Sequence, residues 1–464
     1  MLGDHAWNGT DLKNKRHNAV LRRDWAEQLR VAGEDLTRQA WRELGLTADS
    51  HYVTVFNPLS FTNDILVTCD APVDVAGVEG LSSALRLDGS RRLVFVAPRV
   101  PPFGFREFRF ETNSTGAKVA PAFSASEDSL EGPFYRLRVD RHNGGLASVF
   151  HKPSGQELVI GTAGRTLCQT VIYDSQERLL SNVECHAHFD HVVGQLRVMG
   201  RIGDLRVTNT ISLHAALDRV DFDVRIEKPP TTNEQRLLHF FPVSDGAKQL
   251  RVETTAAVLR PRLQPDGDFL PGADTRRVAV QGFIDCSPPD RAGVTIVPID
   301  AFLLRLDQGA LAFEALGNDQ NWKEVSQDQD GERHFRFRYS LRAHAPGYDQ
   351  AAAIAWSRQV AAPLTCAPGR LPQRWLNRAH LATDPARAVV TCLKPADAGA
   401  SGRTIVRLWE TSGQSRPVSL RVSEYGVAQQ ADLLEREFTV LEVKDGQVMV
   451  PLRGFGFAGV ILQR

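Results

Sequence analysis

No run of eighteen or more apolar residues occurs anywhere in this chain, so no membrane-spanning helix is expected. The opening, Met1-Leu2-Gly3-Asp4-His5, has neither the basic nor the apolar segment of a secretory leader. Positive charge is not in excess, because 55 lysines and arginines balance 55 aspartates and glutamates. Without a concentrated basic patch, a nucleic-acid partner is not expected. The cysteines, Cys69, Cys168, Cys185, Cys286, Cys366 and Cys392, are far apart and form no C-x-x-C pair. That spacing favours buried thiols in a reduced, cytoplasmic chain over the alternative of a disulfide framework.

What is present has two characters. Over the first fifty residues the apolar positions Leu21, Trp25, Leu29, Ala32, Leu36 and Ala40 recur at helical spacing, with Thr10 or Asp11 as a candidate cap and Gly45 as the stop. From His51 onward the spacing becomes two. Tyr52, Thr54 and Phe56 alternate with Val53 and Val55 until Asn57-Pro58 ends the strand. A length of 464 residues exceeds one core, so two to four domains are expected.

The alternation then repeats. Prolines between Leu93–Ala97 and Phe103–Phe110 suggest a linked strand pair with a small aromatic core. Residues 113 to 126 read as a linker. Asn143-Gly144-Gly145 turns one strand into the next, since glycine reaches positive φ without a clash. Val220, Phe222, Val224 and Ile226 alternate with Asp221, Asp223, Arg225 and Glu227, and Phe335 to Arg342 follow the same pattern. Large antiparallel sheets packed face to face are expected. Residues 348 to 360 have helical propensity, and Pro363, Pro368 and Pro372 read as a second linker before a last β-domain. Asp285, Asp290 and Asp319 lie in turn-like contexts and are expected to be solvated or capping. Trp375 and Trp409 are expected to pack in cores or interfaces.

Asp4-His5-Ala6-Trp7-Asn8-Gly9-Thr10, a long helix, Phe56-Asn57-Pro58-Leu59 and Pro101-Pro102-Phe103-Gly104-Phe105 together resemble glycoside hydrolase family 38, the zinc-dependent α-mannosidases. Later fragments, including Gly155-Gln-Glu-Leu158, Arg219–Arg225 and Phe283–Thr295, follow in the family's order. The resemblance implies a mainly β chain of sandwiches, the largest galactose-mutarotase-like, behind a short helical head. It divides the chain into a remnant of active-site loop and helical bundle (1–48), a small β-sandwich (49–111), a large supersandwich (112–362) and a C-terminal β-sandwich (363–464). It also implies that His5 descends from a zinc ligand, while the nucleophile and the other ligands lie in a barrel absent here. The start therefore reads as truncated or as a late methionine. Zinc is expected in the family's full-length enzymes and not as a tight ligand of this chain alone. The implied reaction is hydrolysis of α-mannosides, with carbohydrate as substrate and a separate catalytic segment or a second copy as partner. A stand-alone carbohydrate-binding or scaffolding β-protein is the alternative.

Cys185-His186-Ala187-His188-Phe189-Asp190-His191 also spells a zinc signature, that of metallo-β-lactamases. That motif needs a loop leading into a helix, whereas strands continue here through Ile211. A histidine-rich outer face is expected, without metal.

Overall fold

The computed structural model describes residues 12–86, 91–112, 122–160, 164–243, 249–307, 310–317, 331–397 and 402–464. Chain contacts divide it into two compact units, residues 1–40 with 119–348 and residues 41–118 with 349–464. Strands dominate both, so the mainly β expectation holds.

The first unit is built on antiparallel sheets of nine, six and five strands. A nine-stranded sheet runs in the order Ser181–Phe189, Val193–Ile202, Leu205–His214, Val220–Glu227, His334–His344, Gly293–Pro298, Ile284–Cys286, Leu250–Thr254, Ala257–Leu259. A six-stranded sheet is centred on Gln169–Tyr173, Arg236–Phe241 and Ala310–Gly317. One continuous core between them includes Phe222, Phe241, Phe313 and Tyr339, whose rings meet edge-on or tilted at 5.0–6.0 Å. The alternation of Val220–Glu227 sends its apolar residues into this core and its charged ones outward. The Asn143–Gly145 turn is present, with Gly144 at φ 73°.

In the second unit, Tyr52–Phe56 pairs with Phe105–Glu111. Arg92–Val100 pairs instead with Asn63–Asp70, in another sheet. The prolines at 101 and 102 thus carry the chain between sheets and do not close a hairpin. Asn57 is buried, donating to the Phe61 and Val100 carbonyls at 2.8 and 3.0 Å and accepting from the Leu59 N–H at 3.1 Å. The supposed linker at 363–372 contains a strand, Thr365–Pro368, that adds to Tyr52–Phe56 as an edge. An edge tolerates Pro368 because one side of the strand needs no ladder donor. A five-stranded sheet, Ala388–Pro395, Arg403–Glu410, Phe457–Gln463, Val427–Ala431 and Glu437–Leu441 in that order, packs with a four-stranded one around Val406, Leu420, Val448 and Val460.

Helix α1 spans Leu12–Glu43 and helix α2 spans Gln350–Ala361. Gly45, at φ 83°, ends α1 as expected, with its N–H on the Arg42 carbonyl at 2.9 Å. The candidate caps Thr10 and Asp11 lie outside the described residues. Asp349 caps α2 by accepting the Ala352 N–H at 3.0 Å. The stripe on α1 behaves differently from its pattern. Trp41 is buried, but Leu29 is 74% and Leu36 66% exposed. Their spacing made a helix; nothing described covers them.

Candidate functional site

The outward faces of three neighbouring strands form the candidate site. The register aligns Arg206 with Glu227 and His334, and Thr208 with Arg225 and Arg336. These residues line an open cleft of about 570 Å³ on the nine-stranded sheet. Asp223 organises one wall, accepting both Arg336 Nε at 2.9 Å and Nη2 at 2.8 Å, with Arg225 Nη2 at 3.3 Å. Burial opposes its charge, yet the two guanidiniums hold its carboxyl below the ordinary value of 3.8. Fixed guanidiniums beside carboxylates can donate to and accept from a polyol or sugar hydroxyl. Alternation alone placed Arg225 and Arg336 outward. Their convergence needed the cross-strand register, which the sequence does not state.

Two acids of the same unit, Asp221 half-buried and Asp285 fully buried, sit in hydrogen-bond networks. Asp221 accepts from His214 Nε2 at 2.6 Å, Arg219 Nε at 3.0 Å and the Ser340 hydroxyl at 2.5 Å. Burial disfavours its charge, but Arg219 and His214 hold the carboxyl well below the usual range. Asp285, expected in a solvated turn, instead lies inside the strand Ile284–Cys286 at 1% exposure. It accepts from Ser287, from Thr295 at 2.7 Å and from His344 Nε2 at 3.0 Å. The turn begins only after this strand, at Ser287-Pro288-Pro289-Asp290. Asp290 is exposed in that turn, and Asp319 lies outside the described residues.

His5, the implied zinc ligand, lies outside the described residues. In the other histidine cluster, His186 and His188 stand exposed on the edge strand Ser181–Phe189. Asp190 is committed elsewhere, accepting the N–H groups of Val192 and Val193 at 2.7 Å each. His191 follows in the turn, exposed. Among the described residues, no three His, Cys, Asp or Glu side chains form a group that could hold a metal. The zinc that the resemblance implies finds no ligand set among those residues. Trp409 is buried and stacked on Phe457 at 5.7 Å, and Trp375 donates its indole N–H to the Leu44 carbonyl at 3.0 Å. Trp409 thus offers no free face for a sugar, while Trp375 is half-buried with the Arg374 guanidinium 5.4 Å from its ring centre. All six cysteines are free thiols. No described helix is long and apolar enough to cross a membrane.

No family model and no curated protein matches this chain. Solved structures do. An α-mannosidase from Enterococcus faecalis V583 superposes with a TM-score of 0.72 at 14% identity, over 98% of this chain and 61% of its own. A glycosyl hydrolase family 38 protein from Enterococcus faecalis gives a TM-score of 0.71 at 14% identity, over 94% of this chain and 62% of its own. The fold is shared nearly end to end. At this identity the likeness concerns the fold alone, and the chain spans about 61% of the length of the α-mannosidase it matches.

Proposed function

We propose that this chain is the β-rich, C-terminal region of an α-mannosidase of the family 38 type. The observation that supports this reading is a superposition covering 98% of the chain on an α-mannosidase. In this reading the catalytic nucleophile and the zinc belong to a segment outside the described residues, and α1 is part of what joins the two. The cleft around Arg206, Arg225 and Arg336 would face carbohydrate hydroxyls, and six free thiols suit a reducing, cytoplasmic setting. The second reading is a stand-alone carbohydrate-binding or scaffolding protein. It is supported by the Arg225 and Arg336 guanidiniums fixed beside Asp223, donors and acceptor for sugar hydroxyls.

Incubating the purified chain with p-nitrophenyl α-mannoside and zinc tests the first reading. No nitrophenol release above buffer is expected. Zinc-stimulated release that His5→Ala abolishes would overturn it. Saturable α-mannobiose binding to the isolated chain, lost in Arg225→Ala, with no turnover in any context, would favour the second.

A further inference from the structure

One surface in the second unit serves none of this. The strand Glu437–Leu441 is the last strand of its five-stranded sheet, hydrogen-bonded on one side to Val427–Ala431. Its other side pairs with no described strand. Leu441 turns into the core, but Phe438 is 61% and Val440 73% exposed. The turn before it exposes Leu433 and Leu434 as well. Asp432 fixes that turn, accepting the backbone N–H groups of Leu434 and Arg436 at 2.9 and 3.0 Å. An open edge carrying large apolar side chains is a template for another strand.

We propose that this edge pairs with the same edge of a second copy of the chain, antiparallel about a two-fold axis at Thr439. The sequence of the strand selects both the occupant and the register. With Thr439 opposite Thr439, Phe438 lies opposite Val440 on each side of the axis. Threonine pairs and aromatic–β-branched pairs are both favourable cross-strand neighbours. The same register sets Arg436 opposite Glu442, twice by symmetry. Glu442 is exposed and makes no ion pair among the described residues, so it is available for that contact. Arg436 reaches it as an extension of its own contact with Asp432. Moving the axis to Val440 would bring Arg436 toward Lys444, and moving it to Phe438 would leave Glu442 facing Leu434. Of these centres, only Thr439 joins opposite charges within three residues of the axis. The interface is isologous and closes at two copies, which an open-ended stacking of sheets would not do.

Light scattering and sedimentation of the full chain over a dilution series test this. A monomer–dimer equilibrium is expected. Phe438→Lys should leave a monomer with unchanged circular dichroism, because the side chain is exposed. Arg436→Glu and Glu442→Arg should each weaken dimerisation roughly tenfold by setting like charges opposite one another. The double variant should restore it. Thr439→Cys should yield a dimer linked through Cys at 439 in both copies, identified by peptide mapping after mild oxidation. A chain monomeric at every concentration would overturn the proposal. So would a dimer indifferent to these variants, or open-ended oligomers.

Discussion

His344 donates Nε2–H to the buried carboxylate of Asp285 at 3.0 Å while its Nδ1 meets the Ala345 carbonyl at 2.8 Å. Acceptors at both nitrogens favour the protonated ring. Burial alone would lower its pKa, but the Asp285 carboxylate outweighs that and raises it above the ordinary 6.5. A histidine raised in the folded state contributes stability that is fully present below 6.5 and lost as pH rises through the folded value. His344→Gln should therefore cost roughly 2 kcal/mol in mildly acidic buffer, the worth of a hydrogen bond to a charged group. The cost should shrink as pH rises. Urea unfolding of both proteins across pH would show a constant difference if this pair is not the cause.

His239 works in the opposite sense. It is fully buried, paired through Nδ1 with the Tyr339 hydroxyl at 2.8 Å, and burial pushes its pKa down to about 3. The unfolded chain takes up a proton below 6.5 that the folded chain refuses, so stability falls as pH drops from 6.5 toward 3. His239→Leu should flatten that acid limb, at some cost near neutrality for the Tyr339 hydroxyl left without its partner. Thermal melts between about pH 7 and about pH 4 check this. An unchanged acid limb would assign it to other groups.

Asn57 ties the end of Tyr52–Phe56 to two other segments through three hydrogen bonds. Asn57→Ala leaves two buried carbonyls and one N–H without that partner. A loss of roughly 2–4 kcal/mol is expected, each unsatisfied group costing about 1–3 kcal/mol with partial relaxation. Chemical denaturation monitored by tryptophan fluorescence measures it; a loss within experimental error would show that water replaces the amide.

Much of the architecture was legible because period-two alternation is a local signal. Val220–Glu227 needed no partner to declare its inner face. What could not be read were relations between distant segments. Arg225 and Arg336 share a cleft only because two strands more than a hundred residues apart adopt one register. Thr365–Pro368 looked like a linker because its prolines are local breakers, while its partner strand lies over three hundred residues upstream. The histidine-rich stretch carried a motif, but Asp190 was already committed to backbone N–H groups. Motif spelling does not reveal that.

The described strands pair with one another in sheets, whereas the middle of α1 presents large apolar side chains to solvent. Leu29 and Leu36 are largely exposed, and burying side chains of this size contributes roughly 1.5–3 kcal/mol each. The Arg23–Glu332 ion pair on α1, at 3.2 Å, is exposed and contributes little. Amide hydrogen exchange at low protein concentration tests this most directly. Residues 23 to 40 should exchange far faster than Val220–Glu227, whose N–H groups lie in the middle of the nine-stranded sheet. Equal protection of the two segments would mean that the head already has all the partners it needs, and the account would fail.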